Sequence, residues 1–143
     1  MGARKATQPI EQAGVIAHRR RADGLVQVLL VTSRSGGWVV PKGHVEEGQT
    51  GAEAARVEAF EEAGLIGRVQ RASVGWYDYE KLGTTRRVAL FLMHVERVLS
   101  RWPEMDERRR EWVSIDEAIR RVPHAGLRDV LERVETDGVL RVG

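Results

Sequence analysis

Three glutamates, Glu58, Glu61 and Glu62, stand at positions i, i+3 and i+4 of a segment that carries helix signals at both ends. A T-x-x-E capping box begins at Thr50, and Gly64 provides the left-handed residue at which helices commonly stop. Side chains at this spacing lie within roughly a 100° arc of a helix. The sequence therefore predicts a helix between Thr50 and Gly64 with three carboxylates on one face.

The apolar residues of this helix predict which side faces the core. Val57 and Phe60 fall on one side at about 100° per residue, and we expect that side to be buried. A solvated acidic face is the simplest alternative for the carboxylates. However, like charges at this spacing oppose the helix by about 0.2–0.5 kcal/mol per pair, and the helix dipole disfavours anions in its C-terminal half. A divalent cation such as Mg²⁺ would remove both penalties, because it prefers carboxylate oxygens as ligands.

The segment from Pro41 to Leu65, PKGHVEEGQTGAEAARVEAFEEAGL, resembles the signature of the Nudix hydrolases. That signature is a glycine, five residues, a glutamate, seven residues and then R-E-apolar-x-E-E-x-G-apolar. The resemblance implies an α/β fold, a Nudix-type α/β/α sandwich with a mixed β-sheet between helices. It also implies Mg²⁺-dependent hydrolysis, with Mn²⁺ as a second possible metal, of a phosphoanhydride in a nucleoside diphosphate linked to another moiety. The positions that match are Pro41, Lys42, Gly43, Gly48, Glu58, Glu61, Glu62, Gly64 and Leu65.

Two positions depart from that signature. Gln49 stands where a glutamate is expected, and Val57 stands where an arginine is expected. Our hypothesis is that these two positions normally pair across the junction of loop and helix, so that losing both avoids an orphaned charge. A catalytically weakened domain that binds or senses a nucleotide is therefore the alternative to an enzyme.

The resemblance implies roles for the residues of this segment that match the signature. Glu58 and Glu62 are the best candidates for metal ligands, and the carbonyl of Gly43 is expected to contribute as well. Glu61 is expected to bind the metal or to act as the base that takes a proton from the attacking water. Glu58 is also a catalytic candidate.

The general base has a second set of candidates outside the helix. Asp106 and Glu107 lie in a charged loop, and in this family the base is found either in the helix or on a later loop. An acidic residue in such a loop more commonly faces solvent. Both assignments stay open at the level of sequence.

Cationic and aromatic residues predict where the substrate binds. Lys42 and Arg34 flank the presumed cleft and are expected to bind outer phosphates. Arg86 and Arg87 are weaker candidates, of which one at most should face the substrate, since neighbouring strand residues point to opposite sides. The aromatic residues Trp76, Tyr77 and Tyr79 are candidates for stacking on a base, with ordinary packing on a sheet as the alternative.

The runs WVVPKGHVEEG and WPEMDERRREWVSIDEA look similar to one branch of the family. That branch includes the diadenosine polyphosphate hydrolases and the diphosphoinositol polyphosphate phosphohydrolases. Base stacking would favour the first substrate, and basic character without stacking would favour the second. The sequence leaves the two open.

Composition limits the function classes. The 143 residues contain no cysteine, which excludes disulfides and thiolate chemistry and fits a reducing cytoplasm. No apolar run approaches the roughly 18 residues of a membrane span. The net charge is +2, and arginines cluster at 19–21, 86–87 and 108–110. With a phosphate-directed metal site, these clusters favour a phosphorylated small molecule over nucleic acid or a membrane as partner. A homodimer is possible by analogy alone.

The order of elements predicts one α/β domain over residues 10–143 after a loose N-terminus at 1–9. We expect strands at 12–18, 25–33, 67–79, 84–98 and 111–113, with a loop at 41–43 and a turn at Leu82 and Gly83. The run LVQVLLVTS is typical of a strand buried on both faces. Ser114 is expected to cap a second helix, and an amphipathic third helix is expected at 127–135.

Overall fold

An eight-stranded mixed sheet lies at the centre of the molecule in the computed structural model, which describes residues 8–141. The expectation of a loose N-terminus falls mostly on residues 1–7, which lie outside the described range. The strands are β1 Ile10–Arg20, β2 Val26–Thr32, β3 Trp38–Val39, β4 Lys42–His44, β5 Leu65–Val69, β6 Gly75–Lys81, β7 Thr84–Val98 and β8 Arg110–Ser114. The helices are α1 Gly51–Ala63, α2 Ile115–Arg121 and α3 Ala125–Thr136, followed by a 3₁₀ turn at Val139–Arg141.

The two longest strands, β1 and β7, form the parallel pair of this sheet, and the other pairings within residues 8–141 are antiparallel. Both strands change partners along their length. On one edge of β1, residues 12–14 pair with β4 and residues 18–20 pair with β2. The strand β4 is followed by a loop at residues 45–50 and then by α1.

Alternate residues of the central strands supply two separate cores. Ile16 and Leu90 face one core, which α2 and α3 cover, whereas Val15 and Phe91 face the other, which α1 covers. The strand β2 is likewise buried on both faces from Val28 onward. This arrangement confirms the predicted α/β/α sandwich with a mixed sheet between helices.

The ends of α1 are as the sequence predicts, but its buried face is not. The hydroxyl of Thr50 accepts from the backbone N–H of Glu53, and Gly64 adopts a left-handed conformation with φ of 66°. The prediction that Val57 and Phe60 face the core is wrong, since they are 38% and 41% exposed. Alanines pack on the sheet in their place: Ala54, Ala55, Ala59 and Ala63. Small side chains let the helix backbone approach the strands closely, and that contact outweighs the greater apolar area of valine and phenylalanine.

Several strand boundaries also differ from the expectation. The segment predicted as one strand at 67–79 is two strands, β5 and β6, which pair with different halves of β7. The segment predicted as a loop at 41–43 overlaps with β4, which spans Lys42–His44. The turn at Leu82 and Gly83 is confirmed, with positive φ at both residues. Ser114 caps α2 as predicted, through a hydrogen bond from the backbone N–H of Glu117 to its hydroxyl.

Candidate active site

A cleft of about 820 Å³ opens beside the acidic face of α1. Its walls come from α1 and β4, from the end of β6, and from the loops that follow β2 and β7. The cleft brings the three helical glutamates together with two basic residues predicted to bind phosphate. Lining residues include Gln12, Arg34, Lys42, Gly43, Glu58, Glu61, Glu62, Tyr79, Glu104, Arg108 and His124.

Glu62 is the most enclosed carboxylate of the cleft, with 6% of the residue exposed. Its Oε1 accepts from the backbone N–H of Lys42 at 3.1 Å, and its Oε2 pairs with Arg108 at 2.9 Å. The Trp102 indole donates to the Glu62 carbonyl at 2.9 Å. Burial raises the pKa of Glu62, while Arg108 and the Lys42 N–H act in the opposite direction.

Glu58 lies against β4 at a position where the chain has no side chain. A Cβ on Gly43 would overlap the carboxyl group of Glu58, so glycine is the residue that admits this contact. Burial, and then the charges of Glu62, Glu61 and Glu104, raise the pKa of Glu58 from 4.5 to about 7. Burial is thus the main cause of the raised pKa of Glu58, and the neighbouring carboxylates add to it.

This donor set fits a divalent cation by its chemistry. The candidate ligands are carboxylate oxygens and a backbone carbonyl, which are the hard donors that Mg²⁺ and Mn²⁺ accept. A cation would also relieve the repulsion that raises the pKa of Glu58. Among residues 8–141, no three His, Asp or Glu side chains converge tightly enough to enclose one ion as they stand. The assignment of ligands to Gly43, Glu58, Glu61 and Glu62 stays a prediction.

The wall opposite the carboxylates is aromatic and cationic. The ammonium of Lys42 lies 5.0 Å from the centre of the Tyr79 ring, and that ring lies 5.2 Å from His124. The Tyr79 hydroxyl donates to Oε1 of the buried Gln12 at 2.8 Å. Burial lowers the pKa of Lys42, and the carboxylates of Glu62 and Glu58 partly offset this effect. A phosphate next to Lys42 would therefore lie between the carboxylates and an aromatic surface.

The loop acids that were candidates for the base do not line this cleft. Asp106 and Glu107 border a smaller, adjoining depression near Gly36, which shares Ser33 and Arg108 with the cleft. Glu107 lies 3.8 Å from Arg34, whose side chain is 69% exposed. Another acid of the same loop, Glu104, lines the cleft instead. Within this loop Glu104, rather than Asp106 or Glu107, lies in the cleft, and the identity of the base stays a prediction.

Three of the predicted substrate contacts also lie elsewhere. Tyr77 is 1% exposed in the core beneath α3, so it has no surface on which a base could stack. Arg87 pairs with Asp78 at 2.9 Å and covers the ring of Trp76. Both side chains are thus occupied away from the cleft.

Arg86 turns back onto the hairpin and donates to the carbonyl of Thr84 at 3.2 Å, and it does not line the cleft. Tyr79 is the one candidate of the three aromatic residues that does. The basic triplet at 108–110 is mainly internal as well, since Arg110 donates to the carbonyls of Ala63 and Leu99 at 2.6 Å each.

Sequence reasoning missed Glu104, Arg108 and His124. Two of them lie in the charged loop after β7, where the pattern offered several acids and arginines but no periodicity to choose among them. His124 sits just before α3 and stacks on Tyr77 and Tyr79 at 5.8 and 5.2 Å. A single histidine between two helices carries no local sequence signal that it will line the cleft.

Comparison with known proteins agrees with this geometry. The NUDIX domain profile matches residues 10–134. The chain belongs to the Nudix family. It is 34% identical over 116 residues to Arabidopsis thaliana Nudix hydrolase 16, mitochondrial, a match that covers 75% of this chain and 64% of that protein. It is 35% identical over 99 residues to Rattus norvegicus diphosphoinositol polyphosphate phosphohydrolase 2, covering 66% of this chain and 53% of the rat protein. This Nudix chain thus spans about half to two thirds of the length of these relatives.

Solved structures extend the likeness to the fold. The C. elegans Ap4A hydrolase superposes with a TM-score of 0.75 over 91% of this chain and 98% of that one, at 22% identity. A NUDIX hydrolase from Nitrosomonas europaea gives a TM-score of 0.73 over 91% of this chain and 90% of its own, at 21% identity. At such identities the likeness concerns the fold. Within residues 8–141, no helix has the length and apolar character needed to cross a membrane.

Proposed function

We propose that this Nudix chain hydrolyses a phosphoanhydride bond in a polyphosphorylated small molecule, with the help of a divalent cation. The observation that carries the proposal is the crowding of Glu58, Glu61 and Glu62 along one cleft that Lys42 and Arg34 also line. The raised pKa of Glu58 agrees with this crowding. Such crowding opposes folding, so its presence beside a cleft of this size points to a cation and an anionic ligand.

The proposed reaction transfers a phosphoryl group of the substrate to water. A water oxygen forms a bond to phosphorus, the bond from that phosphorus to the bridging oxygen breaks, and the bridging oxygen leaves with the departing phosphate. Mg²⁺ or Mn²⁺, when bound, would neutralise phosphate oxygens as charge develops. Glu61 is our candidate for the base that accepts the proton of the water, with Glu104 as the second. Lys42 and Arg34 would hold the outer phosphates.

We propose two substrate classes for this site, a diadenosine polyphosphate and a diphosphoinositol polyphosphate. One curated relative is named for the second class, and a structural neighbour is named for Ap4A hydrolysis. Tyr79 separates them, because an adenine ring can stack on an aromatic side chain and an inositol ring cannot. Replacing Tyr79 by Leu should lower kcat/KM for the adenosine substrate about ten-fold and leave the inositol substrate nearly unchanged.

The enzyme proposal is tested by phosphate or nucleotide release from both substrates, with and without Mg²⁺, for the wild type and Glu62→Gln. We expect release that needs the metal and falls at least a hundred-fold in the variant. Release that survives the substitution would contradict the proposed site.

The alternative is a nucleotide-binding domain of weakened activity. One observation favours it: Val57, an exposed residue, stands where the signature expects an arginine. Tight binding of the adenosine substrate without turnover, measured by calorimetry, would support this alternative.

Cytoplasmic location and a homodimer stay predictions. The name of one relative includes the word mitochondrial, so cell fractionation has to distinguish cytoplasm from an organelle. Sedimentation at several protein concentrations would test the dimer.

A further inference from the structure

Arg108 is a buried guanidinium at the edge of the cleft, with 10% of its side chain exposed. Its Nε donates to Glu104 at 2.8 Å, its Nη1 donates to the carbonyl of Thr32 at 2.9 Å, and its Nη2 pairs with Glu62 at 2.9 Å. These partners belong to three different parts of the fold: the loop after β7, the end of β2, and α1. All three nitrogens of the guanidinium are thus engaged, and its plane is fixed.

The contact with Arg108 fixes the orientation of Glu62 as well. The backbone N–H of Lys42 holds one carboxylate oxygen at 3.1 Å, and Arg108 holds the other at 2.9 Å. An ionised carboxylate has about four acceptor positions, so each oxygen keeps one lone pair after these contacts. Glu62 borders the cleft, and those lone pairs are what a cation there would use.

Two opposite roles for Arg108 are physically possible. As a neighbouring positive charge it should weaken the binding of a divalent cation, because like charges repel across a poorly screened site. As an anchor it should strengthen binding, because it holds Glu62 in one orientation and saves the entropy of ordering that side chain. The geometry favours the anchor, because the contacts with Glu104 and with the carbonyl of Thr32 fix the guanidinium independently of Glu62.

We propose that Arg108 is a positioning residue for the metal site, acting through Glu62 rather than touching the substrate. The proposal rests on the proposed function, since it assumes that Glu62 binds the divalent cation. Lysine cannot replace this role, because an ammonium on a flexible stem lacks the planar fork that reaches three acceptors at once.

The test is the affinity of the metal-free full-length chain for Mn²⁺, measured from the free Mn²⁺ signal in electron paramagnetic resonance. Arg108→Met should raise the Kd about 10- to 100-fold, although the substitution removes a positive charge. Arg108→Lys should also raise it, to a smaller extent. Arg109→Met is the matched control, since this neighbouring arginine is exposed and lies near Trp38, and its Kd should equal that of the wild type.

The sign of the change decides the question. A tighter or an unchanged Kd in Arg108→Met would overturn the positioning role, because a merely structural residue would lower the melting temperature without altering the Kd of the folded protein. If Arg108→Met does not fold, Arg108→Lys decides by the same criterion.

Wild type and Glu62→Gln separate this inference from the proposed function. If the wild type binds no Mn²⁺, or if Glu62→Gln binds as tightly as the wild type, the metal site itself is wrong. If Glu62→Gln loses binding while Arg108→Met keeps it, the metal site stands and the role of Arg108 falls.

Discussion

The half-buried Glu58 and the buried His18 have shifted pKa values with opposite consequences for stability. The folded state holds a proton on Glu58 at pH values where the unfolded state has lost it. For His18 the reverse is true, because burial, the neighbouring His94 and Arg20 lower its pKa from 6.5 to about 4. Each shift makes the free energy of unfolding depend on pH within a defined range.

Replacing Glu58 by Gln should stabilise the metal-free protein at high pH. Between pH 4.5 and 7 the folded state binds more protons than the unfolded state at this group, so wild-type stability falls as pH rises. The variant lacks that loss. Above pH 7 its free energy of unfolding should exceed that of the wild type by about 1–3 kcal/mol. Urea unfolding with a chelator present would measure it.

Glu53→Gln is the control for this experiment, since Glu53 is an exposed acid in the first turn of the same helix. It removes one carboxyl group from the same helix at an exposed position, and it should not reproduce the gain in stability above pH 7. Absence of that gain in Glu58→Gln would mean that Glu58 is not crowded in solution.

Replacing His18 by Gln should remove an acid-dependent loss of stability. Below pH 6.5 the unfolded state takes up a proton at His18 that the folded state does not bind until about pH 4. Wild-type stability from this group is therefore complete above pH 6.5 and falls by about 2–3 kcal/mol on approach to pH 4. We would measure the free energy of unfolding of wild type and His18→Gln at pH 7 and at pH 4.5. Any advantage of the wild type at pH 7 should shrink or reverse at pH 4.5. Parallel pH dependences would contradict it.

At the scale of elements, α1 combines a face of alanines against the sheet with a row of carboxylates along the cleft. Its small side chains permit close approach to β1 and β7, and its end is held by Gly64. The same closeness brings Glu58 against β4, where a glycine makes room. The position of the site thus depends on small residues in two elements.

Enlarging the alanine face should destabilise the protein more than trimming the apolar residue beside it. Ala59 is fully buried, so Ala59→Leu should cost about 1–3 kcal/mol or more through overpacking. Phe60 is 41% exposed, and Phe60→Ala should cost less than about 1 kcal/mol. Denaturant unfolding would compare them. A larger loss of stability in Phe60→Ala than in Ala59→Leu would contradict the alanine face and favour the buried face predicted from the sequence.

Adding a methyl group at Gly43 should displace Glu58 and weaken the metal site. The new Cβ would overlap the carboxyl group, so we expect Gly43→Ala to lower Mn²⁺ affinity and activity at least ten-fold. Gly37→Ala is a matched control in the same cleft, because its Cβ would meet the nearest atoms at an ordinary 3.8 Å. Equal effects of the two substitutions would exclude the specific contact.

At the scale of the whole molecule, the cleft joins parts of the chain that are distant in sequence. Arg108 links the loop after β7 to β2 and α1. The strand β4, which precedes α1 in the chain, pairs with β1. A cation bound to Glu62 would therefore stabilise contacts between elements rather than a single helix.

Divalent cations should raise the melting temperature of the wild type. A ligand that binds the folded state stabilises it by about 2.7 kcal/mol at one hundred times its Kd. Thermal unfolding across a Mg²⁺ or Mn²⁺ series should show a rise that Glu62→Gln lacks. A rise of the same size in that variant would place the ion elsewhere.

The sequence determined those features that depend on neighbouring residues. The ends of α1 follow from Thr50 and Gly64, and the spacing of its glutamates places them along one cleft. Alternation in β1, β2 and β7 yields two cores, because strand residues point to opposite faces. The signature around Gly43 was sufficient to identify the family.

Tertiary structure alone decided the rest. The buried face of α1 depends on how closely the sheet can approach, which favoured alanine over the larger Val57 and Phe60. Arg108 reaches Glu62 across a long sequence separation, and Glu104 rather than Asp106 enters the cleft because the loop follows its contacts with α1. Local periodicity carries no information on such contacts, since they arise only when distant segments are packed together.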